Sequence, residues 1–147
     1  MVEKHNISFF GKDQALIVST SNYKDNIHLN FIQKINDNWQ KLPEGLQIAI
    51  NIKETCEIAE FLENKEGSVN IIHKSPYNED IKNFLFEFHE NKDILFIKAK
   101  FDNKLDYKKF SKPIQKGELR AFTKLMLHME DEKLERFNAL ERGSYNQ

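Results

Sequence analysis

Two periodicities alternate along this chain, and they do so twice. Four short stretches repeat every two residues, one longer stretch repeats near 3.6, and the order then starts again. "ISFF" from Ile7, "ALIVSTS" from Ala15, "IHLNFIQKI" from Ile27 and "LQIAINI" from Leu46 read as strands. Gly11 with Lys12, Asp13 and Gln14 breaks the first pair, "SNYKDN" has hairpin chemistry, and "NWQKLPEG" is a turn-rich connector. A helix follows, with Asn51 as N-cap and Glu54 completing a capping box. Ile58, Phe61 and Leu62 form its apolar stripe, with Cys56 and Ala59 alongside and Glu57, Glu60 and Glu63 outward. "ENKEG" stops it, with Gly67 just past the end.

"SVNIIHK", "NFLFEFH", "ILFIKAKF" and "YKKFSKPI" are four more strands. A second helix starts near Lys116, with Leu119, Phe122, Leu125, Met126 and Met129 on one face, and runs to about Phe137 or beyond. The tail, about 138–147, is expected to fray. The pattern predicts an α+β fold in one domain over 1–147. It has two four-stranded antiparallel sheets, each followed by a helix (ββββα twice), as half-repeats of about 5–66 and 67–137. Neither half buries its helix alone, so the two sheets are expected to share a helical core.

Composition narrows the class. Aromatic residues are 12% of the 147, too many rings for a disordered chain. No uncharged apolar run is long enough to span a bilayer, so no membrane partner is expected. The N-terminus "MVEKHNISFF" lacks the apolar stretch of a signal peptide. A single cysteine, Cys56, points to a reducing compartment. Together with the Asn- and Lys-rich composition of an AT-rich genome, this predicts a cytoplasmic protein of bacterial or viral origin. Net charge is −1, unevenly spread. Residues 51–91 hold four Lys against nine Asp/Glu, whereas 92–124 hold ten Lys/Arg against four. That basic third is either an ordinary mixed surface or the footprint of a polyanion.

The strand faces sharpen the second option. In "ILFIKAKF", Leu95, Ile97, Ala99 and Phe101 form a core face, leaving Ile94, Phe96, Lys98 and Lys100 opposite. In "NFLFEF", Phe84, Phe86 and Phe88 share a face, and in "YKKFSK" Lys108, Phe110 and Lys112 share one. Rings interleaved with lysines suit single-stranded nucleic acid: bases stack, lysines track the backbone, and sequence matters little. The same residues also fit inward-pointing rings with solubilising edge lysines. Phe9 and Phe10 are adjacent, so one faces the core and the other does not, and parity alone does not choose. Trp39 is either a loop anchor or a stacking ring. The candidate contacts are Phe9, Lys12, Phe96, Lys98, Lys100, Lys108, Phe110 and Lys112.

Enzymatic signals are weak, and no catalytic activity is expected. The five histidines, 5, 28, 73, 89 and 128, show no metal-ligand spacing. Cys56 lies on a helix's apolar side, and "GKDQAL" lacks the frame of a phosphate loop. No metal or other cofactor is expected. The competing class is a protein–protein adaptor or transcription cofactor using the same sheet.

Several stretches resemble the Whirly family of single-stranded-DNA-binding proteins. "GKDQAL" is similar to the family's KGKAAL with one extra residue, matching at Gly11, Lys12, Ala15 and Leu16. "NWQK" at 38–41 resembles DWEK, "IAINIKETCEIAEFL" resembles FALSPTEVGSL, and "KPIQKGELRAFTKLMLHM" resembles PVTKAEFAVLRTA with its PHM-like end. The resemblance covers roughly 7–130. It implies two sheets packed like propeller blades around a helical core, and a homo-tetramer. Single-stranded DNA or RNA would lie between blades of neighbouring subunits, with the KGKAAL-like stretch serving binding and assembly. It further implies a role in replication, recombination/repair or transcription, alongside proteins of those processes.

Overall fold

An alternating strand has one face to bury and a row of backbone groups to pair, so its neighbours are fixed by both needs. The computed structural model describes residues 5–20 and 26–145, with the side chains of 43 and 136–145 excepted. The expected "SNYKDN" turn therefore lies almost wholly outside the described residues. The first sheet contains β1 (Asn6–Phe10), β2 (Gln14–Thr20), β3 (Ile27–Ile35), β4 (Asn38–Trp39) and β5 (Leu46–Ile50). It is antiparallel, with β1 on β2 and β2 on β3. Both remaining strands pair with β3, β4 at Lys34–Ile35 and β5 at Ile27–Phe31. The expected fourth strand is β5, and the connector before it contributes a further two-residue strand, β4, that was not expected. Asn36 and Asp37, both at positive φ (51° and 66°), close the β3–β4 hairpin, a geometry that Asn and Asp tolerate better than most residues. A 3-10 turn, Leu42–Glu44, then separates β4 from β5. Gly45 sits where a β-carbon would clash with the Phe31 carbonyl, so the chain can rejoin β3 only with glycine there.

The α1 helix (Ile52–Asn64) opens with the expected reciprocal cap. Asn51 Oδ1 accepts from the Glu54 amide at 2.8 Å, and Glu54 Oε1 accepts from the Asn51 amide at 3.0 Å. Its end differs from expectation: Lys65 takes the left-handed turn (φ 55°), two residues before Gly67. The second sheet is a plain meander of β6 (Ser68–Lys74), β7 (Ile81–Phe88), β8 (Ile94–Asp102) and β9 (Tyr107–Gln115). The α2 helix (Lys116–Tyr145) follows directly, so the expected tail is helical as far as Tyr145. The α+β arrangement of two antiparallel sheets, each followed by a helix, is as expected; the first sheet has one strand more.

One apolar cluster draws on both sheets and both helices. Phe31 of the first sheet stacks on Phe110 (5.6 Å between centroids) and tilts against Phe84 (5.8 Å), joining the sheets ring to ring. Phe61 of α1 packs on Phe88 at 5.0 Å. Phe122, Met126 and Met129 of α2 are fully buried. Burial of such side chains is worth roughly 1.5–3 kcal/mol each.

Between the helices, burial first and then the hydrogen-bonded carboxylate of Glu130 push the half-buried Cys56 thiol up from its ordinary value. A raised thiol pKa keeps the less reactive protonated form at neutral pH. Its contribution to stability is present below the unfolded pKa and is lost as pH rises through the folded one. Alkylation of the native chain should be slower than that of the unfolded chain, and Glu130→Gln should speed it. An unchanged rate in that variant would show that the contact does not hold the proton.

Candidate nucleic-acid interface

Register and parity define the outer face of the second sheet. Lys100 lies directly opposite Asn83 on β7 and Lys109 on β9. One step along, Lys98 lies between Leu85 and Ser111, and then Phe96 between Glu87 and Pro113. Lys98 and the half-buried Phe96 are on this outer face, as the alternation of β8 predicts. Lys98 is already engaged: its Nζ donates to Glu87 Oε1 at 2.7 Å and lies 5.9 Å over the Phe96 ring. Both partners are substantially exposed, so the pair contributes at most about 1 kcal/mol and can be exchanged for another anion. Lys100 and Lys109 are exposed. Among the described residues they have no ion-pair partner. Like charges directly opposite across a ladder repel.

Three of the expected contacts prove to be interior. Phe9 is 3% exposed and meets Phe122 edge to face at 5.8 Å. Phe110 is also 3% exposed, in the stack with Phe31. Lys112 is tucked beneath the β9–α2 junction, its side chain 7% exposed, with Nζ donating to the Pro113 carbonyl and to Glu118 Oε1, 3.3 Å away. Lys108 shares that inward face but escapes at the sheet's end. Its stem passes over Phe101, with Nζ 5.8 Å from the ring centroid, and its ammonium donates to the Glu44 carbonyl at 3.3 Å. The reason is common to all three β9 residues: Phe110 and Ile114 fill the core, so everything two residues from them turns inward. The outward set is Tyr107, Lys109, Ser111 and Pro113. Lys109 was therefore missed, although the alternation around Phe110 and Ile114 carries the signal.

Phe10, 55% exposed, is the outward member of the Phe9–Phe10 pair. It meets Trp39 at 5.3 Å, and Lys34 Nζ stands 6.0 Å over the indole. Trp39 thus anchors its loop and offers a surface at once. Phe10 leads into the Gly11–Asp13 turn, where Gly11 N–H donates to the Gln14 carbonyl at 2.8 Å. Lys12 is exposed at its tip. The turn packs on the open edge of β9, where the Ser111 amide donates to Gln14 Oε1 at 2.7 Å. Residues 11–14 and 111–113 line a shallow groove of about 340 Å³ at this seam between the sheets. The seam brings Lys12 and the β9 edge together.

No protein-family model matches the sequence, and a search of curated proteins finds no significant match. Solved structures do match in fold. The plant transcriptional regulator PBF-2 superposes with a TM-score of 0.73 at 14% identity, over 93% of this chain and 94% of its own. WHY1 from Arabidopsis thaliana gives 0.75 at 13%, over 100% and 96%. A guide-RNA-binding protein complex bound to a gRNA gives 0.62 at 8%, over 85% and 87%. At these identities the likeness is one of fold, and the resemblance seen in the short motifs extends to the whole architecture: this chain has a Whirly-like fold.

Proposed function

We propose that this protein binds single-stranded nucleic acid, DNA in the first place, with little sequence preference. It does so on the outer face of β6–β9 and along the seam at the Gly11–Asp13 turn. The observation that carries the reading is the cross-strand pair Lys100–Lys109. Two like charges held opposite each other without a counter-charge cost stability unless an anion joins them. Phe96 alongside supplies a ring for a base, Lys98 can leave Glu87 for a phosphate, and Lys12 continues the basic track. The plant transcriptional regulator and the gRNA-bound complex on the same fold support nucleic-acid binding, and the proposed role is in transcription, replication or recombination/repair. The protein would act by binding rather than by catalysis.

Fluorescence anisotropy with single-stranded DNA, single-stranded RNA and duplex DNA of one sequence tests it. Single strands should bind more tightly than duplex, with log affinity falling linearly against log salt. Equal affinity for duplex, or no binding at low salt, would sink the proposal; the latter outcome would favour the adaptor reading.

Phe10, exposed beside the half-buried Trp39, supports assembly into a homo-tetramer, because a monomer would leave that ring wet. Light scattering at micromolar concentration should report a particle about four times the 17.4 kDa chain. A 17.4 kDa particle would refute it.

A further inference from the structure

We infer that His5, His128 and Glu132 form a binding site for one divalent transition-metal ion, zinc being the best fit. His128 and Glu132 stand one turn apart on α2, and His5, 127 residues from Glu132 in sequence, comes from the chain entering β1. Its place is fixed by two hydrogen bonds with the buried Thr20: the His5 amide donates to Thr20 Oγ1 at 2.8 Å, and the Thr20 amide donates to the His5 carbonyl at 2.9 Å.

The distances suit a metal. Zinc binds imidazole nitrogen and carboxylate oxygen at about 2.0–2.2 Å, so neighbouring ligand atoms in a tetrahedron lie about 3.3–3.5 Å apart. His5 Nε2 and His128 Nε2 lie 3.1 and 3.3 Å from the same oxygen, Glu132 Oε2. All three ligand atoms fall within 4.8 Å of one another. The remaining nitrogen–nitrogen edge can close by turning the His128 ring, whose side chain is 59% exposed. Both imidazoles crowd one oxygen while Glu132 Oε1 is buried with no hydrogen-bond partner among the described residues. Such an orphaned acceptor is costly, and it would be compensated by a cation that the Glu132 carboxylate holds through both oxygens. Two nitrogens and a carboxylate favour zinc, copper or nickel over calcium and magnesium, which prefer oxygen alone. Three protein ligands leave a fourth position on the solvent side of His128 for water. The ion would clip the start of β1 to α2, and so should stabilise the fold.

The test uses the full chain, stripped with a chelator and titrated with zinc in competition with a chromophoric chelator. Expected are one zinc per chain and a melting temperature raised by about 5–11 °C when free zinc is a hundredfold above Kd. Cobalt(II) should give the visible absorbance of a tetrahedral site. His128→Gln, at an exposed position, should fold as the parent does and bind zinc at least about tenfold more weakly; Glu132→Gln should do the same. Unchanged zinc affinity in His128→Gln would overturn the inference. So would a parent chain with neither a zinc-dependent melting shift nor a cobalt spectrum.

Discussion

Phe122→Ala is expected to lower the stability of the fold by about 3–5 kcal/mol, the usual cost of emptying a fully buried phenylalanine site. The position is severe for a geometric reason. Phe122 is the α2 ring that meets Phe9 edge to face at 5.8 Å, so its loss opens a void between the helix and the first sheet's inner face. Neighbouring rings and methionines are themselves fully buried and close-packed, which leaves little freedom to collapse into the gap. A chain of this size should melt roughly 10 °C lower. Phe9→Ala should cost a similar amount. The double variant should cost less than the sum by about 0.5–1.5 kcal/mol, because the aromatic pair is lost only once. Lys124→Ala, exposed on the same helix, is the control and should stay within about 0.5 kcal/mol of the parent. Chemical denaturation measures all four. A loss below about 1 kcal/mol for Phe122→Ala would mean that α2 does not present this face to the core.

Phe9 also marks where sequence stopped deciding. Alternation is decisive only when one face is polar. β8 met that condition, and its inward Leu95, Ile97 and Ala99 and outward Phe96, Lys98 and Lys100 were legible. β1 offers two adjacent rings, and only the tertiary presence of Phe122 on one side and Trp39 on the other separates them. In β9 a second effect intervened. A lysine reads as surface, yet its long stem packs inward while the ammonium finds an exit, as Lys108 does over Phe101 and Lys112 does at Glu118. The element order, the Asn51–Glu54 cap and the apolar faces of both helices depended on local periodicity and could be read. The seam between Gln14 and Ser111, 97 residues apart, and the meeting of His5 with α2 depend on the packed sheets and could not. The extra strand β4 was missed because two residues inside a turn-rich connector are too few to show an alternation of their own.

The largest functional effect should come from Lys100→Ala combined with Lys109→Ala. Each lysine bound to one phosphate of a single strand contributes about 0.7 to the slope of log affinity against log salt, so the pair should flatten it by about 1.4. Both side chains are exposed, and their removal relieves a cross-strand repulsion, so stability should hold or rise by a few tenths of a kcal/mol. Lys98 should behave differently. Binding must first break its 2.7 Å contact with Glu87, so Lys98→Ala should lose less affinity than Lys100→Ala, and Glu87→Gln should tighten binding. Phe96→Ala should weaken binding by about 1–3 kcal/mol and leave the slope alone, since stacking releases no counterions. The buried Lys112 should show no phosphate signature; Lys112→Met, which keeps the stem and removes the charge, should leave the salt slope unchanged. Anisotropy titrations over a salt series separate these outcomes. If the Lys100–Lys109 double variant retains the parent's affinity and slope, nucleic acid does not use this sheet face. The seam at Lys12 would then be the surface to test.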